Sequence, residues 1–292
     1  MKMNTFRLSN GMLIPQIGFG TYQATGDGGK QAIRWALEAG YRFFDTASLY
    51  GTERILGEAV RESGIPREEL ILETKLWIDE MDDPEGALNR SLRRLGTDYV
   101  DIYMIHWPRR AGDPNWKERL AETYQKMEQL AEKGKIRALG LSNFLPHHLQ
   151  VILDICRILP SADQLELHPG YSQEAAVSFC KDHEVLPIAW SPFGRGDHNS
   201  TVSNSILAEF AEKYGRTPYQ INLRFLLQKG ILPIPKASGK EHILANLDVF
   251  DFEMSEEDIS MLSCMPQTTW LGEHPDFYIP AARSNPDELE SE

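Results

Sequence analysis

Three apolar runs in this chain each end on an ionisable residue: Phe43-Phe44-Asp45, Ile71-Leu72-Glu73-Thr74-Lys75 and Ile102-Tyr103-Met104-Ile105-His106. Tyr50 follows Asp45 by five residues. A lone lysine or histidine at such a position is ordinarily a polar residue on the rim of a strand. The four together have a coherent chemistry. A phenol has an ordinary pKa of about 10, too high for efficient proton donation near neutrality. A lysine cation beside it favours the phenolate and lowers that value. An aspartate paired with the lysine keeps it charged and positioned despite burial. A histidine can hydrogen-bond a carbonyl oxygen and orient it toward the donor. Asp45, Tyr50, Lys75 and His106 therefore suit the protonation of an oxygen that gains negative charge, as when hydride adds to a carbonyl.

The elements that must position these residues are eight β-rich runs, at 16–20, 41–45, 70–75, 99–106, 136–142, 163–167, 186–190 and 231–235. Nearly all are hydrophobic throughout, as parallel strands covered on both faces should be. Helical patterns lie between them. Ala32, Ile33, Ala36 and Leu37 repeat at helical spacing before a stop at Gly40. Pro84 opens another pattern, with Leu88, Leu92 and Leu95 on one face and Gly96 at its end. Leu120, Tyr124, Met127 and Ala131 precede Gly134, and Pro218 opens a pattern carrying Ile221, Phe225 and Leu226. Asn10-Gly11, between two short alternating segments, signals a hairpin over 5–15.

Eight strands each followed by a helix, in about 250 residues, is the arithmetic of a (β/α)8 TIM barrel, whose functional residues gather at the C-terminal strand ends. A doubly wound sheet is the competing arrangement, but no composition break marks a second domain. The expectation is one α/β domain over 1–292. Its N-terminal hairpin would cap the barrel bottom, and a C-terminal tail over 264–292 would be irregular, lying on the surface from Glu273 onward.

Composition narrows the partners. Acidic residues outnumber basic ones 43 to 30, for a formal net charge of -13. So negative a surface argues against a general binder of nucleic acid or of anionic membranes, while leaving room for a local phosphate pocket. The apolar stretches are too short for a transmembrane helix, and the N-terminus lacks the apolar core of a signal peptide. Cys156, Cys180 and Cys264 stand far apart without metal-ligand spacing. Neither a disulfide framework nor structural zinc is expected, and a reducing cytoplasm is the natural compartment.

Longer motifs occur in order along the chain. They are Gly18-Phe19-Gly20-Thr21-Tyr22, Gly40-Tyr41-Arg42-Phe43-Phe44-Asp45-Thr46-Ala47, Tyr50-Gly51, Glu73-Thr74-Lys75-Leu76-Trp77 and Asp101-Ile102-Tyr103-Met104-Ile105-His106-Trp107-Pro108. Gly140-Leu141-Ser142-Asn143-Phe144, Gln164-Leu165-Glu166-Leu167-His168-Pro169, Ile234-Pro235-Lys236 and Phe250-Asp251-Phe252 follow. Through these motifs the chain closely resembles the aldo-keto reductase superfamily, from the hairpin to the segment around Trp270. The resemblance implies a barrel that binds NADP(H) extended, without a Rossmann domain, and reduces aldehydes and ketones with a Tyr, Lys, Asp, His tetrad. It assigns those roles to Tyr50, Lys75, Asp45 and His106.

The resemblance also places Gly20, Thr21 and Tyr22 beside the cofactor, and Ser142, Asn143 and Gln164 around the nicotinamide carboxamide. Trp190 takes the place of the aromatic that stacks on the nicotinamide ring. Ser191, Phe193 and Gly194 would pass along the pyrophosphate, with Arg195 as an added clamp. Lys236 corresponds to the lysine that holds the 2'-phosphate, and Asn246 to the residue that contacts adenine. Two positions depart from the family pattern: Ala237 replaces a serine and His242 replaces an arginine. Histidine is mostly neutral at pH 7 and offers no bidentate fork, so phosphate recognition is weakened. Ser238 and Lys240 would compensate in part. NADPH remains the expected cofactor, with NADH possible. Tyr22, Trp77, Trp107 and Trp270 are expected to line the substrate pocket.

Other signals point to less. Gly18-x-Gly20 has Gln23 where a dinucleotide fingerprint needs its third glycine. Gly140-Leu-Ser142-Asn-Phe144 lacks the last glycine of a nucleophile elbow. His147-His148 follows Pro146 at a helix start and reads as surface or capping residues, so no metal is expected. Glu166 reads as a carboxylate of the barrel interior. Two competing functions are a Schiff-base lyase using Lys75 or Lys236, and a regulatory barrel that binds cofactor without turnover. The intact Tyr50 and Lys75 speak against the second. Short loops after His106, after Trp190 and in the tail suit small carbonyl substrates, namely aldehydes, dicarbonyls, sugars or keto acids. A monomer is expected, as in the small single-barrel members of the family.

Overall fold

The structure is a computed structural model and describes residues 4–194, 204–267 and 272–280. The chain begins with β1 (Thr5–Arg7) and β2 (Leu13–Pro15), which pair antiparallel with Phe6 opposite Ile14. Asn10 organises the turn between them. Its Oδ1 accepts the Met12 N–H at 3.0 Å, and its Nδ2 donates to Arg137 O at 2.9 Å. Leu8 and Ile14 join the apolar cluster formed inside the barrel by Phe43, Ile102, Ile188 and Leu232. The hairpin therefore plugs one end of the barrel, as expected.

Eight parallel strands follow. They are β3 (Phe19–Gly20), β4 (Phe43–Asp45), β5 (Ile71–Leu76), β6 (Val100–Ile105), β7 (Ile136–Ser142), β8 (Ala162–Glu166), β9 (Leu186–Trp190) and β10 (Leu232–Pro233). Each pairs with the next in chain order. The ring closes where β3 meets β10: Gly18 N–H donates to Pro233 O at 3.0 Å and Gly20 N–H to Pro235 O at 3.1 Å. Both closing strands are much shorter than the runs that forecast them, because Pro233 and Pro235 have no N–H to extend the ladder. The approach is close enough that a Cβ on Gly20 would lie 2.9 Å from Ile234 O.

The helices are α1 (Gly26–Ala39), α2 (Glu53–Ser63), α3 (Pro84–Leu95), α4 (Trp116–Glu132) and α5 (Pro146–Leu153). Then come α6 (Glu174–Asp182), α7 (Ser205–Tyr214), α8 (Pro218–Gln228), α9 (Lys240–Leu247) and α10 (Glu256–Ser263). Their starts follow from local chemistry. Asp83 accepts the Gly86 N–H at 2.9 Å ahead of Pro84, and Thr217 and Gln220 form a capping box ahead of Pro218. The apolar stripes noted in the sequence face inward, forming an outer core between helices and strands. One helix per strand is not strictly kept: α7 and α8 both lie between β9 and β10, and α10 is added after α9.

The contact between α2 and α3 leaves no room for a side chain at Gly57, where a Cβ would lie 2.3 Å from Leu95 O. Alanine favours a helix over glycine by about 1 kcal/mol. Overpacking against immovable backbone costs about 1–3 kcal/mol and decides the sign. Gly57→Ala should therefore lower the melting temperature by several degrees, at roughly 2–4 °C per kcal/mol for a domain of this size. A thermal melt followed by circular dichroism checks this, and an unchanged or higher midpoint would refute it.

Candidate active site

Strand register brings the ionisable residues to one level. Asp45 lies opposite Glu73 in the β4–β5 ladder, and alternation along β5 turns Glu73 and Lys75 to the same face. Lys75 is fully buried. Its Nζ ion-pairs with Asp45 Oδ1, donates to Thr46 O at 2.9 Å and stands 3.4 Å from Tyr50 Oη. Glu73 Oε1 is 3.6 Å away. Tyr50 ends a short 3-10 turn, Ser48–Tyr50, which follows β4 and carries the phenol back over the strand end. His106 follows β6 directly, and its ring lies edge-on to Tyr50 at 5.6 Å and to Trp77 at 5.2 Å. The four residues singled out in the sequence meet.

Burial pushes the Tyr50 phenol above its ordinary value, and Lys75 is the strongest influence drawing it back. The lysine acts in the expected direction, but the dry surroundings outweigh it, so the phenol holds its proton at neutral pH. Burial also works against the charge on Lys75. There Asp45, then Tyr50 and Glu73, outweigh it and hold the ammonium above the ordinary lysine value. A Schiff base needs a neutral amine, which Lys75 does not offer. Burial likewise raises the Glu73 carboxyl well above the usual carboxylate range, against the pull of Lys75 and reinforced by Asp45.

Above this floor, polar groups lock one another in place. Ser142, opposite Gln164 in the β7–β8 ladder, donates from Oγ to Gln164 O at 3.1 Å. Asn143 sits in the left-handed region at φ 64°, which asparagine tolerates better than most residues. Its Nδ2 donates to His106 O at 3.0 Å, and its Oδ1 accepts the Trp190 indole N–H at 2.9 Å. Trp190 is therefore held in one orientation and remains half-buried rather than sealed in the core. Ser191 is also left-handed, at φ 45°, and accepts the Gly194 N–H at 2.9 Å. Such strain at two strand ends is the kind found at functional sites. Phe193 packs edge-on to Tyr219 at 5.0 Å.

Other expected residues take varied positions. Gln164 Nε2 points into the floor and donates to Asp45 Oδ1 at 2.9 Å and Glu73 Oε1 at 2.6 Å. The Thr21 hydroxyl is buried between Asp45 O and Thr52 Oγ1, each at 2.9 Å. Tyr22 is exposed at the rim, 5.0 Å from the Tyr50 ring. Lys236, Ser238 and His242 are exposed after β10 and on the first turn of α9, while Asn246 is buried on the same helix. Lys240 stands 3.7 Å from Glu38, which partly answers its charge. Arg195 and Trp270 lie outside the described residues.

The stretch from 272 to 280 has no helix or strand. It is not a loose surface segment, however, because it is anchored across the barrel mouth. Gly272 N–H donates to Glu166 Oε2 at 3.0 Å, and Glu166 Oε1 is 3.1 Å from His168 Nε2. Asp276 Oδ1 lies 3.0 Å from His147 Nε2 and 2.9 Å from His148 Nε2. His148 is buried and its pKa is pushed down to about 3, chiefly by burial, so the ring is neutral. Its Nδ1 accepts the Leu145 N–H at 3.2 Å, which leaves the hydrogen on Nε2 for Asp276. His148 is thus a helix cap and an anchor for the tail. The Tyr278 ring stacks on Trp107 at 4.0 Å and meets Trp77 edge-on at 5.9 Å, leaving Trp77 almost wholly covered.

Two of these groups were not singled out from the sequence. Glu73 stands two positions before Lys75, so strand alternation alone carried the signal that it shares the interior face. Tyr278 had no signal beyond being an aromatic residue among prolines.

The model of the Aldo/keto reductase family matches residues 16–264. The chain is 39% identical to a 9,11-endoperoxide prostaglandin H2 reductase of Trypanosoma cruzi, over 95% of this chain and 96% of that protein. It is 36% identical to a glyoxal reductase of Bacillus subtilis, over 94% of this chain and 96% of that one. Among solved structures, an aldo-keto reductase of Bombyx mori in complex with NADP superposes with a TM-score of 0.86 at 32% identity, covering 94% of this chain and 96% of that chain. The match over most of the chain and the assembled Tyr50, Lys75, Asp45 and His106 lead to one conclusion: the chain belongs to the aldo/keto reductase family, the barrel oxidoreductases that reduce carbonyl groups with NADP(H).

Proposed function

We propose that this protein reduces small aldehydes and dicarbonyls with NADPH, with Tyr50 as the proton donor. The observation that carries the reading is the continuous contact from Asp45 through Lys75 to Tyr50, with His106 edge-on beside the phenol. The cofactor, when bound, supplies the hydride that adds to the carbonyl carbon. The remaining work belongs to the chain. His106 orients the carbonyl oxygen, and Tyr50 Oη gives it a proton as negative charge develops there. Lys75 stabilises the phenolate left behind, and Asp45 holds Lys75 in place. The balance is one hydride and one proton added to the C=O bond, yielding an alcohol.

The donor set suits a nicotinamide dinucleotide. Ser142, Asn143 and Gln164 offer hydroxyl and amide groups for a carboxamide, and the half-open Trp190 offers a ring face. Gly20, Thr21 and Tyr22 would flank the nicotinamide side, Ser191, Phe193, Gly194 and Arg195 the pyrophosphate, and Asn246 the adenine. The exposed Lys236, Ser238 and His242 would face the 2'-phosphate. Tyr22 and Trp107, together with Tyr278, would give the substrate an aromatic enclosure suited to small molecules, and Trp77, almost wholly covered by Tyr278 and His106, would back that wall rather than line it. The glyoxal reductase likeness supports dicarbonyls as the first class to test. We read the enzyme as a monomer of the reducing cytoplasm, in keeping with its free cysteines Cys156, Cys180 and Cys264.

Replacing Tyr50 by Phe keeps the ring and removes the donor. General acid catalysis contributes about 10²–10⁴-fold, so reduction of glyoxal-type substrates should fall by at least that range while NADPH binding is nearly unchanged. Steady-state assays and fluorescence titration measure the two, and retention of most turnover would overturn the assignment.

His242→Arg tests the cofactor geometry. A charge-assisted bond to phosphate contributes about 1.5–3 kcal/mol, so the dissociation constant for NADPH should fall about tenfold or more while that for NADH stays put. Equal effects on the two cofactors would mean that this position does not read the phosphate.

A further inference from the structure

Two carboxyl groups and one ammonium share the floor of the barrel. Glu73 and Asp45 are directly opposite across the β4–β5 ladder, and Gln164 Nε2 bridges their carboxyls, at 2.9 Å from Asp45 Oδ1 and 2.6 Å from Glu73 Oε1. Glu73 is fully buried, and its Oε2 has no hydrogen-bond donor facing it. An anionic oxygen left so would carry the full penalty of desolvation, whereas a protonated one can donate to the neighbouring carboxylate. Among the described residues, the charged or titratable groups that bear most on Glu73 are Asp45 from β4 and Lys75 from its own strand, with Tyr50 above. The neighbouring strand β6 brings only the apolar Ile102 and Met104 to this interior cluster. One cation thus faces two carboxyls in a dry site, and two ionised carboxylates would leave a net buried charge.

We propose that Glu73 is a positioning residue that works as a neutral carboxylic acid, sharing one proton with Asp45 and holding both Asp45 and the Gln164 amide in place. This rests on the roles given above to Tyr50, Lys75 and Asp45. With Glu73 neutral, Lys75 keeps one counter-charge and the rest of its field reaches the Tyr50 phenol. An ionised Glu73 would add negative charge near the phenol and disfavour phenolate. Gln164 Nε2 bonds both carboxyls, so the same proton arrangement orients the amide between β8 and the floor. No other residue in the reaction scheme requires a carboxyl at this position.

Infrared difference spectra of the full chain without cofactor, wild type against Glu73→Gln at pH 7, give the direct test. Wild type should show the C=O stretch of a protonated carboxyl, and the variant should lack it. Absence of the band in wild type would overturn the proposal. The pH dependence of alcohol oxidation gives a second reading, because that direction needs the Tyr50 phenolate and rises with pH. Glu73→Gln should leave its midpoint in place. A fall of one unit or more would mean that Glu73 had been ionised, and would overturn the proposal. Glu73→Leu removes the bonds to Asp45 and Gln164 and should lower kcat about tenfold or more, with Glu73→Gln recovering most of the loss. Unchanged kcat in Glu73→Leu would show that Glu73 positions nothing. If Glu73→Leu fails to fold, the infrared and pH measurements on Glu73→Gln decide alone. Failure of the Tyr50 assignment would appear in Tyr50→Phe and leave the infrared band untouched, so the two readings stand or fall separately.

Discussion

A single ammonium group buried in the barrel governs the rest of the site. Lys75 has no access to solvent, and its stability as a cation depends on Asp45, Thr46 O and the surrounding dipoles. A buried pair is weak evidence for stability, but stranding one of its members costs about 3–5 kcal/mol. That asymmetry explains why so many neighbours are committed to the pair. Thr21 bonds the Asp45 carbonyl, Gln164 bonds its carboxylate, and Thr52 joins Thr21 to Thr46. The phenol is one neighbour among several, and its proton affinity is the outcome of burial set against that cation.

Such an arrangement needs a ring that does not shift. The strands that close it are the shortest, yet they are backed by a hairpin whose Leu8 and Ile14 fill the opposite end. Gly18 and Gly20 let the closing strands come close enough to bond Pro233 and Pro235. Rigidity at this seam matters because Gly20 stands opposite Asp45 in the ladder. A shift at the closure would therefore move the counter-ion of Lys75.

The mouth is built on a different principle. Side chains there bond to one another and to backbone left in unusual conformations, as at Asn143 and Ser191. The tail is tied down at Gly272, Asp276 and Tyr278, by one backbone amide, a pair of imidazoles and a stacked indole. These contacts link the ends of several strands to a segment remote in sequence. The mouth is thus bordered by residues that belong to no regular element.

The order of the strands, several of the helices, the hairpin and the strand ends that bring Asp45, Tyr50, Lys75 and His106 together were legible in the sequence because each rests on local chemistry. Unbroken apolar runs mark buried parallel strands, Pro84 and Pro218 mark helix starts, and a charged residue ending an apolar run marks a strand end at the mouth. The lengths of β3 and β10 were less legible, since prolines on one strand limit the ladder of another. The partnerships were not legible at all. Gln164 meets Asp45 across 119 positions of chain, and Asp276 meets His148 across 128. Glu73 carried the right alternation for the interior, but its neutrality follows from what else lies there: one cation, a second carboxylate and no water-facing surface. The sequence by itself determined which groups the barrel would present. Only closure of the ring decided which oxygen faces which nitrogen, because burial and distance set the charge of each group and neither exists until distant strands are side by side.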